Sequence, residues 1–197
     1  RLAKILSKKF FEIIVATDFD ENSLKALRLK KNLIILKISK TKKLKIDKKS
    51  TVFGDIYQKR DLEKINKNFI KLMSKKKITD NKTKDLIFSI KVAKHLKSNA
   101  IVLTSNRQTI GLGNGQTNRI DSLVYALKNM KKNFKNKKFV CVSDGFFPFT
   151  DSISLLKKYR CSVIAQPFGS LNDKKIIEYA IKYKISLFSI KNRLFKH

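Results

Sequence analysis

Short apolar runs alternate along this chain with segments in which apolar residues recur every three or four positions. The runs Phe10 to Ala16 and Leu33 to Ile38 are rich in β-branched residues, which is typical of strands buried on both faces. The segment between them predicts a helix that is capped by Asp20 or Asn22 and ends at Asn32. The pattern therefore predicts a strand–helix–strand unit of an α/β protein.

The middle of the chain carries a weaker pattern. Residues 39–50 form a polar connection rich in Lys, and Thr51 to Gln58 alternates weakly, which predicts an edge strand. Residues 59–82 carry scattered apolar groups that predict no element. Long polar connections of this kind are typical of domain junctions.

The helix and strand signals sharpen from residue 83. Thr83 or Asp85 is expected to begin a helix whose apolar face carries Leu86, Ile90 and Ala93. The remaining predicted elements are strands over 99–104 and 108–112, a helix over 119–130, a strand over 139–142, a helix over 151–159, a strand over 162–166, a helix over 172–183 and a strand over 186–190. This alternation predicts a three-layer α/β domain with its sheet buried on both faces.

The net charge raises a second hypothesis. The 197 residues include 46 Lys and Arg against 15 Asp and Glu, a formal charge of +31, which is typical of nucleic-acid-binding proteins. Only seven of the 46 are Arg, although Arg is the residue that phosphate and base recognition favours. Lys, Ile, Asn and Phe are all abundant and share A/T-rich codons, so compositional drift explains the Lys excess without a ligand. A basic nucleic-acid-binding α/β domain is kept as the alternative.

Composition excludes several other classes. An apolar share of 42% with 14 Phe excludes wholesale disorder, and no stretch approaches the roughly 18 apolar residues of a membrane span. The first residue is Arg1 and no signal peptide follows, so we expect the chain to begin within a longer protein of the cytoplasm. Cys141 and Cys161 form no disulfide framework, and with only His95 and His197 no zinc site is expected.

Three segments carry unusual residues just beyond predicted strands. Gly111 to Gln116 lacks the pattern of a phosphate loop and is most simply a turn, but Arg119 follows in the first turn of a helix, where positive charge is unfavourable. Ser143 to Asp151 contains three Phe and a Pro, either as a plug in the core or as a wall for a flat ligand or a subunit. Asn192 to His197 is either a frayed end or part of a site.

In their order, these segments resemble the C-terminal part of the bifunctional purine-biosynthesis family, which combines aminoimidazole carboxamide ribonucleotide (AICAR) formyltransferase with inosinate (IMP) cyclohydrolase. The matching segments are KHLKSNAIV at 94–102, TIGLGNGQTNR at 109–119, SDGFFPFTD at 143–151, QPFGSLND at 166–173 and RLFKH at 193–197, with weaker upstream matches at 12–27 and 29–36. The resemblance covers nearly the whole chain and is weakest over 39–82.

The resemblance implies a cytidine-deaminase-like three-layer α/β sandwich without a zinc site. Residues 1–74 would be the end of the first transformylase subdomain with a linker, and 75–197 the second subdomain. The implied reaction moves a formyl group from 10-formyltetrahydrofolate to the 5-amino group of AICAR, in a homodimer with shared active sites. The family's Lys-His catalytic motif, SxKHxxPAG, and its cyclohydrolase domain are absent from this chain, whose own Lys-His pairs at 94–95 and 196–197 stand in other contexts, so we expect the chain alone to be inactive.

The matching positions imply the site residues. Asn99 and Arg119 would hold the carboxamide and ring of AICAR, with Asn99 the catalytic residue of this chain. The backbone at Phe146 would contact the reacting amine, Arg193 would neutralise the phosphate, and Glu12 would lie near the nucleotide. The residues that would face the folate are Ile120, Pro148, Phe149 and Asp151, the last addressing the polar edge of the pterin. The positions that depart from the family pattern are Thr150, in place of Arg, and Phe168, in place of Gly.

Overall fold

The computed structural model describes residues 1–39, 45–134 and 138–196, apart from the side chain of Asn133. They form two compact units, Arg1–Leu62 and Glu63–His197. The elements of the first unit are α1 (Leu2–Leu6), β1 (Ile13–Ala16), α2 (Glu21–Arg28), β2 (Ile34–Lys37), β3 (Ile46–Thr51) and β4 (Gly54–Lys59). Those of the second are a 3-10 turn (Lys67–Phe69), β5 (Ile70–Leu72), α3 (Asp80–Ala93), β6 (Ile101–Ser105), β7 (Gln108–Gly113), α4 (Arg119–Asn133), β8 (Val140–Ser143), α5 (Asp151–Lys158), β9 (Val163–Pro167), α6 (Asp173–Lys182) and β10 (Ser186–Ile190).

The first unit contains the predicted strand–helix–strand arrangement. β1 and β2 pair in parallel, and α2 between them is capped by Asp20, whose Oδ1 accepts a hydrogen bond from the N–H of Ser23 at 2.7 Å. The helix ends at Arg28 rather than at Asn32. The expected burial of both strands is wrong for the described residues, because every residue of β1 and β2 is exposed or half-buried, and Ile13, for example, is 50% exposed.

A β-hairpin replaces the predicted edge strand over 51–58. β3 and β4 pair antiparallel around a turn at Val52 and Phe53, and every residue of both strands is exposed. The hydroxyl of Thr51 closes the turn, since it donates to the carbonyl of Gly54 at 2.8 Å and accepts from the N–H of Phe53 at 3.2 Å. Gly54 has a φ of +121°, which other residues rarely adopt. Residues 40–44 of the predicted polar connection lie outside the described residues.

The second unit is built on a six-stranded mixed sheet with the strand order β5-β10-β9-β8-β6-β7. β8, β9 and β10 are parallel, whereas β6 is antiparallel to β8, β7 to β6 and β5 to β10. Alternate residues serve opposite faces: Ile101 and Leu103 pack with α4, α5 and α6, and Val102 packs with α3. The α/β class is confirmed, whereas the cytidine-deaminase-like arrangement and the subdomain boundary after residue 74 stay predictions.

The start of α3 differs from the expectation. The helix begins at Asp80 with Thr79 as its cap, rather than at Thr83 or Asp85. Asp85 is instead buried, and its carboxylate accepts hydrogen bonds from the N–H groups of Asn106 and Arg107, at 3.3 and 2.7 Å, in the turn between β6 and β7. Asp85 therefore stabilises the fold through its contact with this distant turn rather than by starting the helix. Among the described helices, none is long and apolar enough to cross a membrane.

Candidate functional site

Five segments of the second unit meet at one edge of its sheet. The carboxyl ends of β8, β9 and β10 share this edge because the three strands are parallel. β6 begins and β7 ends at the same edge, since Ile101 pairs with both Ser143 and Gly113. The segments that converge are 98–100, 114–119, 144–149, 168–172 and 191–196. In α/β sheets, ligands bind preferentially beyond the carboxyl ends of the strands.

Arg119 projects from the start of α4 toward the loop after β8. Its Nη2 donates a hydrogen bond to Oδ1 of Asp144 at 2.9 Å, and its Nη1 donates to the carbonyl oxygen of Phe146 at 3.4 Å. The Arg119 side chain is 13% exposed and that of Asp144 is fully buried. The helix is capped by Asn118, whose Oδ1 accepts from the N–H of Asp121 at 2.8 Å. The unfavourable charge in the first turn is thus balanced by a buried carboxylate.

Asp144 connects three of the converging segments, and the sequence reasoning did not assign it to the site. Its Oδ2 accepts from the hydroxyl of Ser98 at 2.6 Å, in addition to the bond from Arg119. Its N–H donates to the carbonyl of Ala100 at 3.1 Å, and its carbonyl accepts from the N–H of Leu194 at 3.0 Å. The signal that could have identified it is an acidic residue directly after an apolar strand, two residues before Phe146.

Asn99 is held by the loop that precedes α4. The side-chain Nδ2 of Asn99 donates to the backbone carbonyl oxygens of Gln116 at 3.0 Å and Thr117 at 3.2 Å. The backbone carbonyl of Asn99 accepts from the hydroxyl of Ser122 at 2.6 Å. The peptide bond between Ser98 and Asn99 is cis. Because both partners of the Nδ2 group are acceptors, the orientation of the side-chain amide is determined, and Oδ1 is the atom that can accept a hydrogen bond from a ligand.

The C-terminal segment is docked rather than frayed, as far as the described residues extend. Leu194 is 3% exposed, and the backbone of Lys196 exchanges two hydrogen bonds with Ser98, at 2.9 and 3.3 Å. The guanidinium of Arg193 lies 5.4 Å from the ring centre of Phe146 and 5.9 Å from that of Phe195. The guanidinium of Arg119 lies 6.0 Å from the Phe195 ring as well. His197 lies outside the described residues.

Arg119 and Arg193 differ in their electrostatic surroundings. Arg119 is paired with a buried carboxylate, whereas Arg193 is exposed and takes part in none of the ion pairs between described residues. Cation–π contact with two Phe rings positions a guanidinium without cancelling its charge. Among the described residues, the site therefore presents one arginine that is paired with a carboxylate and one that is not.

The phenylalanine-rich loop after β8 divides between core and surface. Phe147 is fully buried in the core, and its N–H donates to Oε1 of the buried Gln166 at 3.0 Å. Phe149 is 64% exposed, and the carbonyl of Pro148 accepts from Nδ2 of Asn172 at 2.9 Å. The interpretation of this loop as a plug in the core thus holds for Phe147. Phe149 is exposed, so it remains a candidate wall for a ligand or a subunit.

The other residues implied by the resemblance are placed as follows. Ile120 is partly buried against the core beside Arg119. Asp151 is exposed at the start of α5, where its Oδ1 accepts from the N–H of Ser152 at 2.6 Å. Glu12 is exposed and belongs to the first unit, which is described by itself, so its role near the nucleotide stays a prediction.

The glycine run serves mainly to pack a strand against a helix. A Cβ atom on Gly111 would meet the backbone carbonyl of Ala126 in α4, and one on Gly113 would meet that of Ser122. Only Gly115, with a φ of +68°, has the backbone conformation of a glycine-dependent turn. The close approach of β7 to α4 brings Arg119 to the edge of the sheet.

The described residues offer neither a metal cluster nor a reactive thiol. No group of three or more His, Cys, Asp or Glu among them is arranged to hold a metal ion. Burial raises the pKa of the Cys141 thiol, and it raises the pKa of Cys161 to about 12. Both thiols are therefore protonated at neutral pH and lie in the core, away from solvent.

Comparison with known proteins shows which family carries a similar sequence. A family model described as AICARFT/IMPCHase bienzyme matches residues 1–129. The chain is 40% identical over 197 residues to the bifunctional purine biosynthesis protein PurH of Caldicellulosiruptor saccharolyticus, and 42% identical over 199 residues to that of Buchnera aphidicola subsp. Schizaphis graminum. These alignments cover 99% and 98% of this chain but 38% of each relative, so the chain spans 38% of their length. The resemblance stated from the motifs is thereby confirmed, and the chain belongs to the AICARFT/IMPCHase bienzyme family.

Proposed function

We propose that this chain supplies the AICAR- and folate-binding part of a formyltransferase active site in purine biosynthesis. The relatives are named bifunctional purine biosynthesis proteins. The observation that carries the proposal is the convergence of Asn99, Arg119, the Phe146 backbone and Arg193 at one edge of a sheet. A full-length protein would add the Lys-His motif and IMP cyclohydrolase activity, and would act as a cytoplasmic homodimer with shared sites.

The two arginines suit different parts of AICAR. Arg193 keeps its charge and is exposed, so it would bind the phosphate. Arg119 is neutralised by Asp144, and its remaining N–H groups would bind the oxygen of the neutral carboxamide. A single ligand with a phosphate at one end and a carboxamide at the other would therefore be held in one orientation.

Asn99 is placed to orient the reacting amine. The 5-amino group of AICAR is conjugated to an electron-poor ring, so it is a weak nucleophile and must lose a proton as it attacks the formyl carbon. Oδ1 of Asn99 can accept a hydrogen bond from this amine, because the Nδ2 group is already bound to Gln116 and Thr117. A carboxamide is not a base, so the proton acceptor would come from the Lys-His motif that this chain lacks.

The loop after β8 fits the pterin of a folate. Phe149 offers an exposed aromatic face, and two residues further on Asp151 offers an exposed carboxylate. An apolar face beside a carboxylate matches a flat heterocycle with an edge of N–H donors. Bound 10-formyltetrahydrofolate would supply the formyl group, and Ile120, Pro148, Phe149 and Asp151 would orient it toward the amine beside Asn99.

Replacing Asn99 by Ala in the full-length protein tests the proposal. We expect kcat for formyl transfer to fall about a hundredfold in a protein that still folds, because the amine loses its orienting acceptor. Asn81→Ala is the matched control, since Asn81 is an exposed residue in the first turn of α3 and is expected to leave turnover unchanged. Unchanged turnover in the Asn99 variant would remove that residue from the site.

The wild-type protein tests the reaction itself. A full-length protein that produces no formylated AICAR would refute the proposed function. Steep, salt-dependent binding to generic DNA or RNA would then favour the nucleic-acid-binding alternative, which stays a prediction.

A further inference from the structure

We propose that Asp144 is a positioning and specificity-determining residue, which makes the site select a neutral carboxamide over a carboxylate on the same ring. The inference rests on the proposed function, because it concerns the group of AICAR that Arg119 would contact. Asp144 would not touch the substrate. It would act through the charge and the position of Arg119.

The contacts of Asp144 determine where Arg119 can be. Both carboxylate oxygens are used, Oδ1 by Arg119 at 2.9 Å and Oδ2 by Ser98 at 2.6 Å, and the side chain is fully buried. Backbone bonds to Ala100 and Leu194 hold Asp144 from two further directions. The backbone of Asp144 is thus bound on both sides and its Oδ2 is bound to Ser98, so the carboxylate has little freedom to follow a moving guanidinium, and Arg119 must come to Asp144.

Gly145 leaves the space that this arrangement needs. A Cβ atom on Gly145 would lie 2.9 Å from Cζ of Arg119 and 2.8 Å from Cε1 of Phe195. The guanidinium therefore passes directly over the backbone that follows Asp144. This short stretch of the loop after β8 therefore sets both the position of Arg119 and its ion pair with Asp144.

The ion pair between Arg119 and Asp144 also decides which ligand charge the site accepts. A poorly solvated arginine without a partner attracts an anion strongly, because charges interact more strongly when water is excluded. With Asp144 beside it, the pair is close to neutral, and a ligand carboxylate approaching Arg119 would also be repelled by Asp144. A carboxamide carries no net charge and meets no such repulsion. Arg193 lacks a carboxylate partner among the described residues and keeps its preference for an anion.

The test compares two ligands on the full-length protein with Asp144→Asn. Dissociation constants are measured by calorimetry for AICAR and for the ribonucleotide that carries a carboxylate in place of its carboxamide. We expect AICAR to bind about tenfold more weakly to the variant, since a charge-assisted hydrogen bond is lost. The ratio of the two constants should shift at least about tenfold toward the carboxylate ligand. Equal weakening of both ligands, or no change, would overturn the inference.

A double-mutant cycle covers the case in which Asp144→Asn alone fails to fold. Arg119→Gln leaves the charge of Asp144 without its cation, although Ser98 still donates a hydrogen bond to it, whereas the double variant Arg119→Gln/Asp144→Asn leaves a neutral pair. Because an unpaired Asp144 repels a ligand carboxylate, the ligand ratio should shift about tenfold toward the carboxylate ligand between Arg119→Gln and the double variant. An equal ratio in these two variants would show that the charge of Asp144 does not act on the ligand and would overturn the inference.

Asp85→Asn is the control for loss of a buried carboxylate. Asp85 is 3% exposed and accepts two hydrogen bonds, like Asp144, but it binds the turn at the opposite edge of the sheet. It should lower stability without changing the ligand ratio, and an equal shift in this control would overturn the inference. A wild-type protein that neither binds AICAR nor formylates it refutes the proposed function instead, whereas a wild type that binds AICAR with an unaltered ratio in Asp144→Asn refutes only the role of Asp144.

Discussion

The two units carry apolar strands of similar composition and bury them to very different extents. In the first unit, Ile13 and Val15 of β1 are each 50% exposed. In the second unit, Val102 of β6 and Val140 of β8 are fully buried. The difference lies in the layers around the strands: the second sheet has α3 on one face and α4, α5 and α6 on the other, whereas β1 and β2 form a sheet of only two strands.

The same contrast applies to charged groups. The ion pairs of the first unit, such as Lys37 with Asp18, are largely exposed and are expected to stabilise it little. The second unit holds Asp144 and Asp85 away from water, each with two or more donors. A layered sheet can keep a carboxylate dry and oriented, as it does for Asp144 at the candidate site.

The largest expected difference between the units comes from removing a Phe ring. Phe139→Ala, in the core beside β8, should lower the free energy of unfolding by about 4 kcal/mol, because it leaves a cavity. Phe53→Ala, at the exposed hairpin turn, should change it by less than about 0.5 kcal/mol. Urea unfolding followed by tyrosine fluorescence measures both, since four of the five Tyr lie between residues 125 and 183 in the second unit and Tyr57 lies in the hairpin of the first. Equal losses of unfolding free energy in the two variants would contradict the difference in burial between the two units.

A smaller difference is expected between two glycines at the end of β7. Gly113→Ala should destabilise the second unit by about 2 to 3 kcal/mol, because the added Cβ meets the backbone of α4 at Ser122. Gly115→Ala meets no atom within 4 Å and should cost only about 1 kcal/mol, for its positive φ. The measurement is the shift in urea midpoint, and a Gly115 variant as unstable as the Gly113 variant would contradict the close packing.

Two aspartates sharpen the contrast in charge. Asp85→Asn should cost about 2 kcal/mol, because its carboxylate is buried and accepts two N–H groups. Asp55→Asn, on the exposed hairpin where the carboxylate pairs with Lys48, should produce no measurable change. Thermal unfolding in low and in 1 M salt measures both variants, and a large effect at Asp55 that persists in 1 M salt would contradict its assignment as an exposed ion pair.

The smallest expected effect is a dependence on alkaline pH that is confined to the second unit. The pKa of Cys161 is raised to about 12 from an ordinary value of 9.0, so the folded state holds the thiol proton more tightly than the unfolded state. This stability is fully present below pH 9 and is lost as the pH rises toward 12. Between pH 9 and 10, the free energy of unfolding of the wild type should fall by about 1 kcal/mol more than that of Cys161→Ala. Urea midpoints that change by the same amount in both proteins would contradict this.

The first unit should respond to acid instead. The pKa of Asp18 is lowered chiefly by its hydrogen bond with Lys37, and the pKa of Asp20 chiefly by the N–H of Ser23. Stability from such groups is present above the ordinary value of 3.8 and is lost as the pH falls below it. Because both carboxylates are exposed, we expect loss of helix signal rather than global unfolding, measured by circular dichroism.

Local signals predicted the elements that local chemistry forms. Asp20 caps α2 and α4 begins at Arg119, as expected, because a cap needs only an oxygen and the following N–H groups. The turn at Val52 and Phe53 was missed because neither residue is typical of a turn. Asp85 was misjudged as a helix start because an acidic residue near a helix N-terminus and one that holds a distant turn look alike in sequence.

Motif order proposed Asn99, Arg119, Phe146 and Arg193 as site residues but not how they are arranged. The family that the motifs imply is confirmed, and the structure brings the four residues to one edge of the sheet, while their contact with a substrate stays a prediction. Asp144 was not assigned, because its importance comes from contacts with residues 46 positions before it and 50 positions after it. Contacts across such separations leave no periodicity in the sequence.

By itself, the sequence determined the α/β class, the order of strands and helices in the second unit and the family, since these depend on residue type and local spacing. Only the tertiary structure decided which apolar runs are buried, that Arg119 is paired with a carboxylate while Arg193 has no such partner in the described part of the chain, and that five separate segments share one edge. The physical reason is that burial and charge pairing depend on which neighbours surround a residue, and those neighbours come from distant parts of the chain.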